Sequence, residues 1–192
     1  MFTVPLGPGL RLRLLEARHA EALYELIDAN RAHLERWFPW APSTRGPDDV
    51  RGFIQGSLAK FASGDGFDGL IEADGTPVGS MGLHDLHRRE SRTEIGYWLT
   101  EARQGEGLAT RALAGLLPYV FGELDLQRVE IRCDPDNDRS RAVPERLGFT
   151  KEGTLRRVAE HHGRRYDHVV YGLLREEWHD RTADRRAGES DR

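Results

Sequence analysis

The sequence predicts an α+β fold in which a mixed sheet is flanked by helices. Three observations lead there. Short stretches rich in β-branched and aromatic residues alternate along the chain with segments whose apolar residues recur at helical spacing. Two of the strand-like stretches are joined by Asp74-Gly75, a dipeptide of tight hairpins, so part of the sheet is antiparallel. A further strand-like stretch, TEIGYWL (93–99), runs through the glycine-rich RQGEGLA into a helical segment. That order puts a ligand site at the carboxyl end of a central strand.

Each element has its own warrant. LRLRLLEA (10–17) alternates and reads as a short strand, and RHAEALYELIDANRAHLERWF carries one helical period up to the proline of WFPW. After the turn-like APSTRGPDD, VRGFIQGSLAKFA (50–62) is an amphipathic helix, and FDGLIEADGTPVGSMGLHDL is the hairpin about Asp74-Gly75. TEIGYWLT is the central strand. GLATRALAGLLPYVF is the helix that follows it, with a kink expected after Gly115 because Pro118 removes a backbone donor. QRVEIRC (127–133) is a strand, DRSRAVPERLG a short helix stopped by Gly148, and FTKEGTLRRV and YDHVVYGLLREEW are two final strands. One domain is expected over 1–178, followed by a polar, disordered tail at 179–192.

Composition narrows the function. Charged residues make up 31% of the 192 and the net charge is −4, which disfavours a direct nucleic-acid partner. No run of about 18 apolar residues exists to span a membrane, and MFTVPLGPGLRLRLLE lacks the apolar core of a signal peptide. The single cysteine, Cys133, has no internal disulfide partner. The expectation is a soluble, cytoplasmic chain without a membrane partner.

Gly105 and Gly107 permit a tight turn at the start of a helix, where free amides and the helix dipole favour an anion. The phosphate loop of nucleotide hydrolases requires Lys-Ser/Thr after its last glycine, but Leu108 and Ala109 follow Gly107. The dinucleotide fingerprint requires three spaced glycines and only two are present. What Gln104-Gly105-Glu106-Gly107-Leu108-Ala109 does match is Q-x-x-G-x-A, the pyrophosphate loop of the GNAT acetyltransferase superfamily. The runs EIGYWLTEARQGEGLATRAL, LDLQRVEIRCDPDNDRSRAVPERLGFTKEGTLRR and DHVVYGLLREEW, with WFPW and GLHDL, extend the likeness from about residue 9 to residue 178. In type, spacing and order they resemble the ribosomal-protein N-terminal acetyltransferase branch of that superfamily, including its SRAxPExLGF pattern around Pro144.

The resemblance implies the GNAT fold, a mostly antiparallel sheet splayed between two central strands, and acetyl-CoA as cosubstrate with no metal. It implies that Gln104, Gly105, Glu106, Gly107, Leu108 and Ala109 cradle the pyrophosphate and that Thr110 adds a hydroxyl donor. The strand ending at Trp98-Leu99 would pair with pantetheine, as a peptide augments a sheet, and offer the thioester carbonyl a backbone N–H. Such oxyanion donors contribute about 3–4 kcal/mol. Asn137 and Ser140 match the branch's N-x-x-S, with Ser140 beside the sulfur as general acid or hydrogen-bond donor; both residues also suit helix capping. An α-amino group with a pKa near 8 loses only about 1.3 kcal/mol to protonation at pH 7, against roughly 4.6 for a lysine, so a carboxylate acting through water suffices. Glu160, on the turn between the last two strands, and Glu94, on the central strand, are the candidate bases, Glu160 slightly preferred; either also suits a solvated surface charge.

The acceptor is expected to be a peptide N-terminus. The alternatives are a small-molecule amine (aminoacyl nucleotide, polyamine or antibiotic) or a non-catalytic acyl-CoA-binding domain. Relatives pair through their carboxyl-terminal strands, which implies a homodimer by analogy. Trp37, Phe38 and Trp40 suggest an apolar lip over the acceptor site or a plug at the helix end. Cys133 reads as core. His161 with His162, and His84 with His87, point oppositely on their strands and make poor metal pairs.

Overall fold

The computed structural model of the chain describes residues 2–161 and 163–180; His162 and the predicted tail from residue 181 onward lie outside them. The strands are β1 (Thr3–Gly7), β2 (Leu10–Leu14), β3 (Phe67–Ala73), β4 (Thr76–His87), β5 (Arg92–Leu99), β6 (Arg128–Cys133), β7 (Thr150–His161) and β8 (Arg164–Leu174). The helices are α1 (Ala20–Ala29), α2 (Arg31–Glu35), α3 (Pro47–Ser63), α4 (Leu108–Pro118) and α5 (Asp138–Leu147). The strands form one sheet ordered β1-β2-β3-β4-β5-β6-β8-β7, antiparallel throughout except for β5 against β6.

Helices cover both faces. Adjacent residues Leu70 and Ile71 of β3 belong to opposite cores: Leu70 packs with Leu23, Ile27 and Ile54 of α1 and α3, Ile71 with Leu113 and Leu117 of α4. All of β3 is accordingly buried, whereas the edge strand β7 is almost wholly exposed. Asp74 (φ 50°) and Gly75 (φ 82°) both take the left-handed conformation that a two-residue hairpin needs, as the sequence predicts.

Four elements depart from expectation. β1 is an additional strand at the edge of the sheet, where Pro5 is tolerated. The single helix expected over 18–38 is two, broken at Asn30, whose amide donates to the Leu26 carbonyl (2.9 Å) and whose Oδ1 accepts the Glu101 N–H (2.9 Å). α4 is helical through Gly115 to Pro118, and the regular helical hydrogen bonding gives way after the proline to a π-turn over Tyr119–Glu123. β8 ends at Leu174 and residues 175–180 are helical, so REEW is not strand.

Candidate functional site

β5 and β6 separate soon after they meet. Their register comprises Arg92↔Arg128, Thr93↔Val129 and Glu94↔Glu130, yet β5 continues to Leu99 and β6 to Cys133. From Ile95 onward β5 therefore has an edge unpaired by β6. α5 stands across the gap, where the Tyr97 hydroxyl donates to the Ser140 carbonyl (3.0 Å).

β5 then leads through a 3-10 turn, Glu101–Arg103, into the glycine loop. Gly105 (φ 82°) and Gly107 (φ 74°) are left-handed with open space at their Cβ positions, so glycine is required there by conformation and not by crowding. Gly107 caps α4 without any side-chain hydrogen bond, and the Arg111 N–H bonds back to the Gly107 carbonyl (2.9 Å). The amides of the preceding turn are thus left for a ligand, at the positive end of α4. Arg103 holds the Glu106 carboxylate (2.9 Å) away on the surface.

A cleft of about 1020 Å³ joins the loop, the splayed end of β5, the start of α5 and the segment after α2. It gathers Trp98, Leu99, Gln104, Gly105, Gly107, Leu108, Ala109, Thr110, Asn137 and Ser140, which are far apart in sequence. Glu106, Glu94 and Glu160 are not in its lining. Unpaired strand edge, free helix amides and cleft volume together fit a long ligand with amides at one end and phosphates at the other.

Side-chain detail refines the expected roles. Asn137 Oδ1 accepts the Ser140 N–H (3.1 Å), so it caps α5. Ser140 Oγ lies 3.3 Å from Cys133 Sγ, a contact the core reading of Cys133 does not include; burial raises that thiol to about 11 and keeps it neutral. Gln104 reaches sideways: its amide nitrogen is 2.6 Å from His33 Nε2, and its oxygen accepts from Arg139 (2.7 Å). His33, Arg36, Arg139 and Arg146 line the cleft without any motif announcing them, because α2 and α5 meet the loop only in the folded chain.

The two glutamates differ in setting. Glu94 ends the short β5–β6 register, is half-buried, and lies 3.1 Å from Arg132 Nε in an ion pair that lacks hydrogen-bond geometry. Burial raises its pKa, with Arg132 opposing. Glu160 lies within β7, not on the turn where it was expected, and is exposed with Arg165 at 3.3 Å. Trp37 and Phe38 line the cleft, while Trp40 packs between Phe38 (centroids 5.4 Å) and Trp98 (6.2 Å). His84 sits with Asp68 and Lys60, and among the described residues no cluster holds a metal.

Known proteins share this architecture. The sequence profile described as Acetyltransferase (GNAT) domain matches residues 9–150. The chain is 30% identical to the ribosomal-protein-serine acetyltransferase of Escherichia coli over 167 residues, 87% of this chain and 93% of that one. Among solved structures, RimL, a ribosomal L7/L12 alpha-N-protein acetyltransferase in complex with coenzyme A, superposes with a TM-score of 0.88 at 27% identity, covering 92% of this chain and 99% of the other. Mycobacterium smegmatis RimJ in complex with CoA-disulfide gives 0.84 at 33% identity, with 92% and 88% covered. A splayed β5–β6 pair, a glycine loop opening α4 and a match over most of the chain lead to one conclusion: this protein belongs to the GNAT family and is an acetyl-CoA-dependent N-acetyltransferase.

Proposed function

We propose that the acceptor is the α-amino group of a protein N-terminus. The observation that carries this reading is similarity over nearly the full length of both chains to a ribosomal-protein-serine acetyltransferase. The lining supports it: the carboxylates of the cleft, Glu101, Asp136 and Asp138, come from the cofactor loop and the approach to α5, while the α2 side contributes His33, Arg36, Trp37 and Phe38. A polyamine would need carboxylates on that side.

The amides of residues 105–110 take the pyrophosphate, with Gln104 and Thr110 beside them, and the free edge of Trp98 and Leu99 takes the pantetheine amides. Unpaired β5 amides are the donors available to the thioester oxygen, whose growing negative charge they stabilise. Glu94 receives the amine proton through water as nitrogen attacks the carbonyl carbon. Its position at the mouth of the splay and its raised pKa favour it over Glu160, which Arg165 engages on an exposed strand. As the carbon–sulfur bond breaks, the Ser140 hydroxyl donates a hydrogen bond to the departing thiolate, which then takes its proton from solvent, and Asn137 holds the helix start that carries Ser140.

Calorimetric titration with acetyl-CoA, followed by thiol release against peptides and small amines, tests the reading. Release with Ser- or Ala-starting peptides is expected. Release with small amines alone would overturn the acceptor assignment, and intact binding without any release would point to a non-catalytic acyl-CoA-binding domain.

A further inference from the structure

The β7–β8 hairpin reaches beyond the sheet. β8 pairs with β6 between Val169 and Leu174, whereas its pairing with β7 continues outward to His161↔Arg164. The outer half therefore projects past Cys133, the last residue of β6, and ends on α2, where His161 Nε2 contacts the Glu35 carbonyl oxygen. The residues that follow Glu35 are Arg36, Trp37 and Phe38 of the cleft. Hairpin and cleft meet at the end of α2.

That outer half is cationic in a chain whose net charge is −4. Arg156, Arg157, Arg164 and Arg165 are all exposed. Arg165 pairs with Glu160, and Asp167 is engaged by the Arg157 backbone N–H (2.8 Å). The guanidinium groups of Arg156, Arg157 and Arg164 form no ion pair among the described residues. Register is irregular between Leu155 and Ala159, and Arg157 takes φ 54°, the mark of a bulge that redirects side chains. Leu155 (40% exposed) and Val158 (48%) add apolar surface beside these charges.

Transfer to an α-amine engages little more than the first residue of an acceptor, and a flexible N-terminus needs further contacts to offset the entropy of ordering it. We propose that the outer β7–β8 hairpin is that further contact, a docking surface for an acidic segment just downstream of the acceptor's N-terminal residue. The proposal rests on the protein-acceptor reading. Exposed arginines attract such a segment and speed its encounter, and Leu155 and Val158 cover its apolar side chains. Residues 155–161 span about 20 Å at roughly 3.3 Å per residue, so acceptor positions from about three to eight lie along the hairpin.

The full-length chain is assayed by thiol release with Ser-starting decapeptides that differ only at positions three to eight: neutral, acidic or basic. The acidic peptide is expected to exceed the neutral one in kcat/KM by about tenfold at low ionic strength, mainly through KM, and to lose that advantage in 0.5 M salt. The double variant Arg156→Glu/Arg164→Glu is expected to abolish the preference while leaving kcat on the neutral peptide unchanged. Equal kcat/KM for acidic and neutral peptides, or a preference that survives in the double variant, overturns the docking surface and leaves the protein-acceptor reading standing. Stronger competition by a short single-stranded RNA than by the acidic segment would reassign the surface to nucleic acid. Acetyl-CoA binding without turnover of any peptide defeats the protein-acceptor reading itself.

Discussion

Gly115→Ala and Gly56→Ala place the same methyl group on two helices and should move stability in opposite directions. At Gly115, in α4, an added Cβ would lie 2.3 Å from the Leu6 carbonyl oxygen and 2.5 Å from the Leu6 Cα, both backbone atoms of β1. Neither atom can rotate away, so helix and strand must part. Overpacking of this kind costs about 1–3 kcal/mol, here toward the upper end, and alanine returns about 1 kcal/mol of helix propensity. The net loss is about 1–2 kcal/mol, and at roughly 2–4 °C per kcal/mol for a chain of this size Tm falls by about 2–8 °C. At Gly56, on the exposed side of α3, no atom lies within 4 Å of the added Cβ. Only the propensity gain applies there, and Tm rises by about 2–4 °C. Because α4 carries the glycine loop at its first turn, Gly115→Ala should also weaken acetyl-CoA binding, while Gly56→Ala should not. Scanning calorimetry and a binding titration read both effects. An unchanged or raised Tm for Gly115→Ala would refute the claim that β1 is pressed against α4, and a lowered Tm for Gly56→Ala would refute the propensity argument.

Further expectations follow from the site. Ser140→Ala should lower kcat more than it weakens acetyl-CoA affinity; equal losses would assign Ser140 to cofactor binding alone. Because burial raises the Glu94 pKa, the acid limb of kcat should lie above that of an ordinary glutamate, and Glu94→Gln should remove that limb with a loss of about 100-fold. Glu160→Gln should alter neither; the opposite pattern in the pH–rate profiles would move the base to Glu160. On β6, Arg128 hydrogen-bonds Glu152 (2.6 Å) and lowers its pKa. That stabilisation is present above the unfolded carboxylate pKa and is lost as pH falls through the lowered folded value. Arg128→Ala should therefore destabilise the protein at neutral pH by an amount that shrinks in acid, and a constant difference in urea midpoint across that range would exclude the linkage.

Local signals were enough for much of this protein. The Asp74-Gly75 hairpin, the strand–glycine–helix unit at 93–118 and the Gly148 helix stop depend on backbone preferences of neighbouring residues, which operate before any tertiary contact forms. The glycine turn before α4 was legible for the same reason: left-handed glycines followed by a helix start depend on local backbone preference. Breaks set by distant partners were not legible. Asn30 divides a continuous apolar period because its side chain serves both Leu26 and Glu101, the latter 71 residues away in sequence. REEW leaves the strand where β8 ends at Leu174, and periodicity over so short a run does not separate helix from strand.

Composition and pattern by themselves determined the fold class, the loop and the residue types available for chemistry. Tertiary structure alone decided which of those residues meet. It set Ser140 against Cys133, drew Gln104 between His33 and Arg139, half-buried Glu94 at the mouth of the splay, and left Glu160 exposed on a basic hairpin. Proximity, burial and the electrostatics they create belong to the folded chain, where a single long-range contact can change the setting of a residue whose local sequence is unaltered.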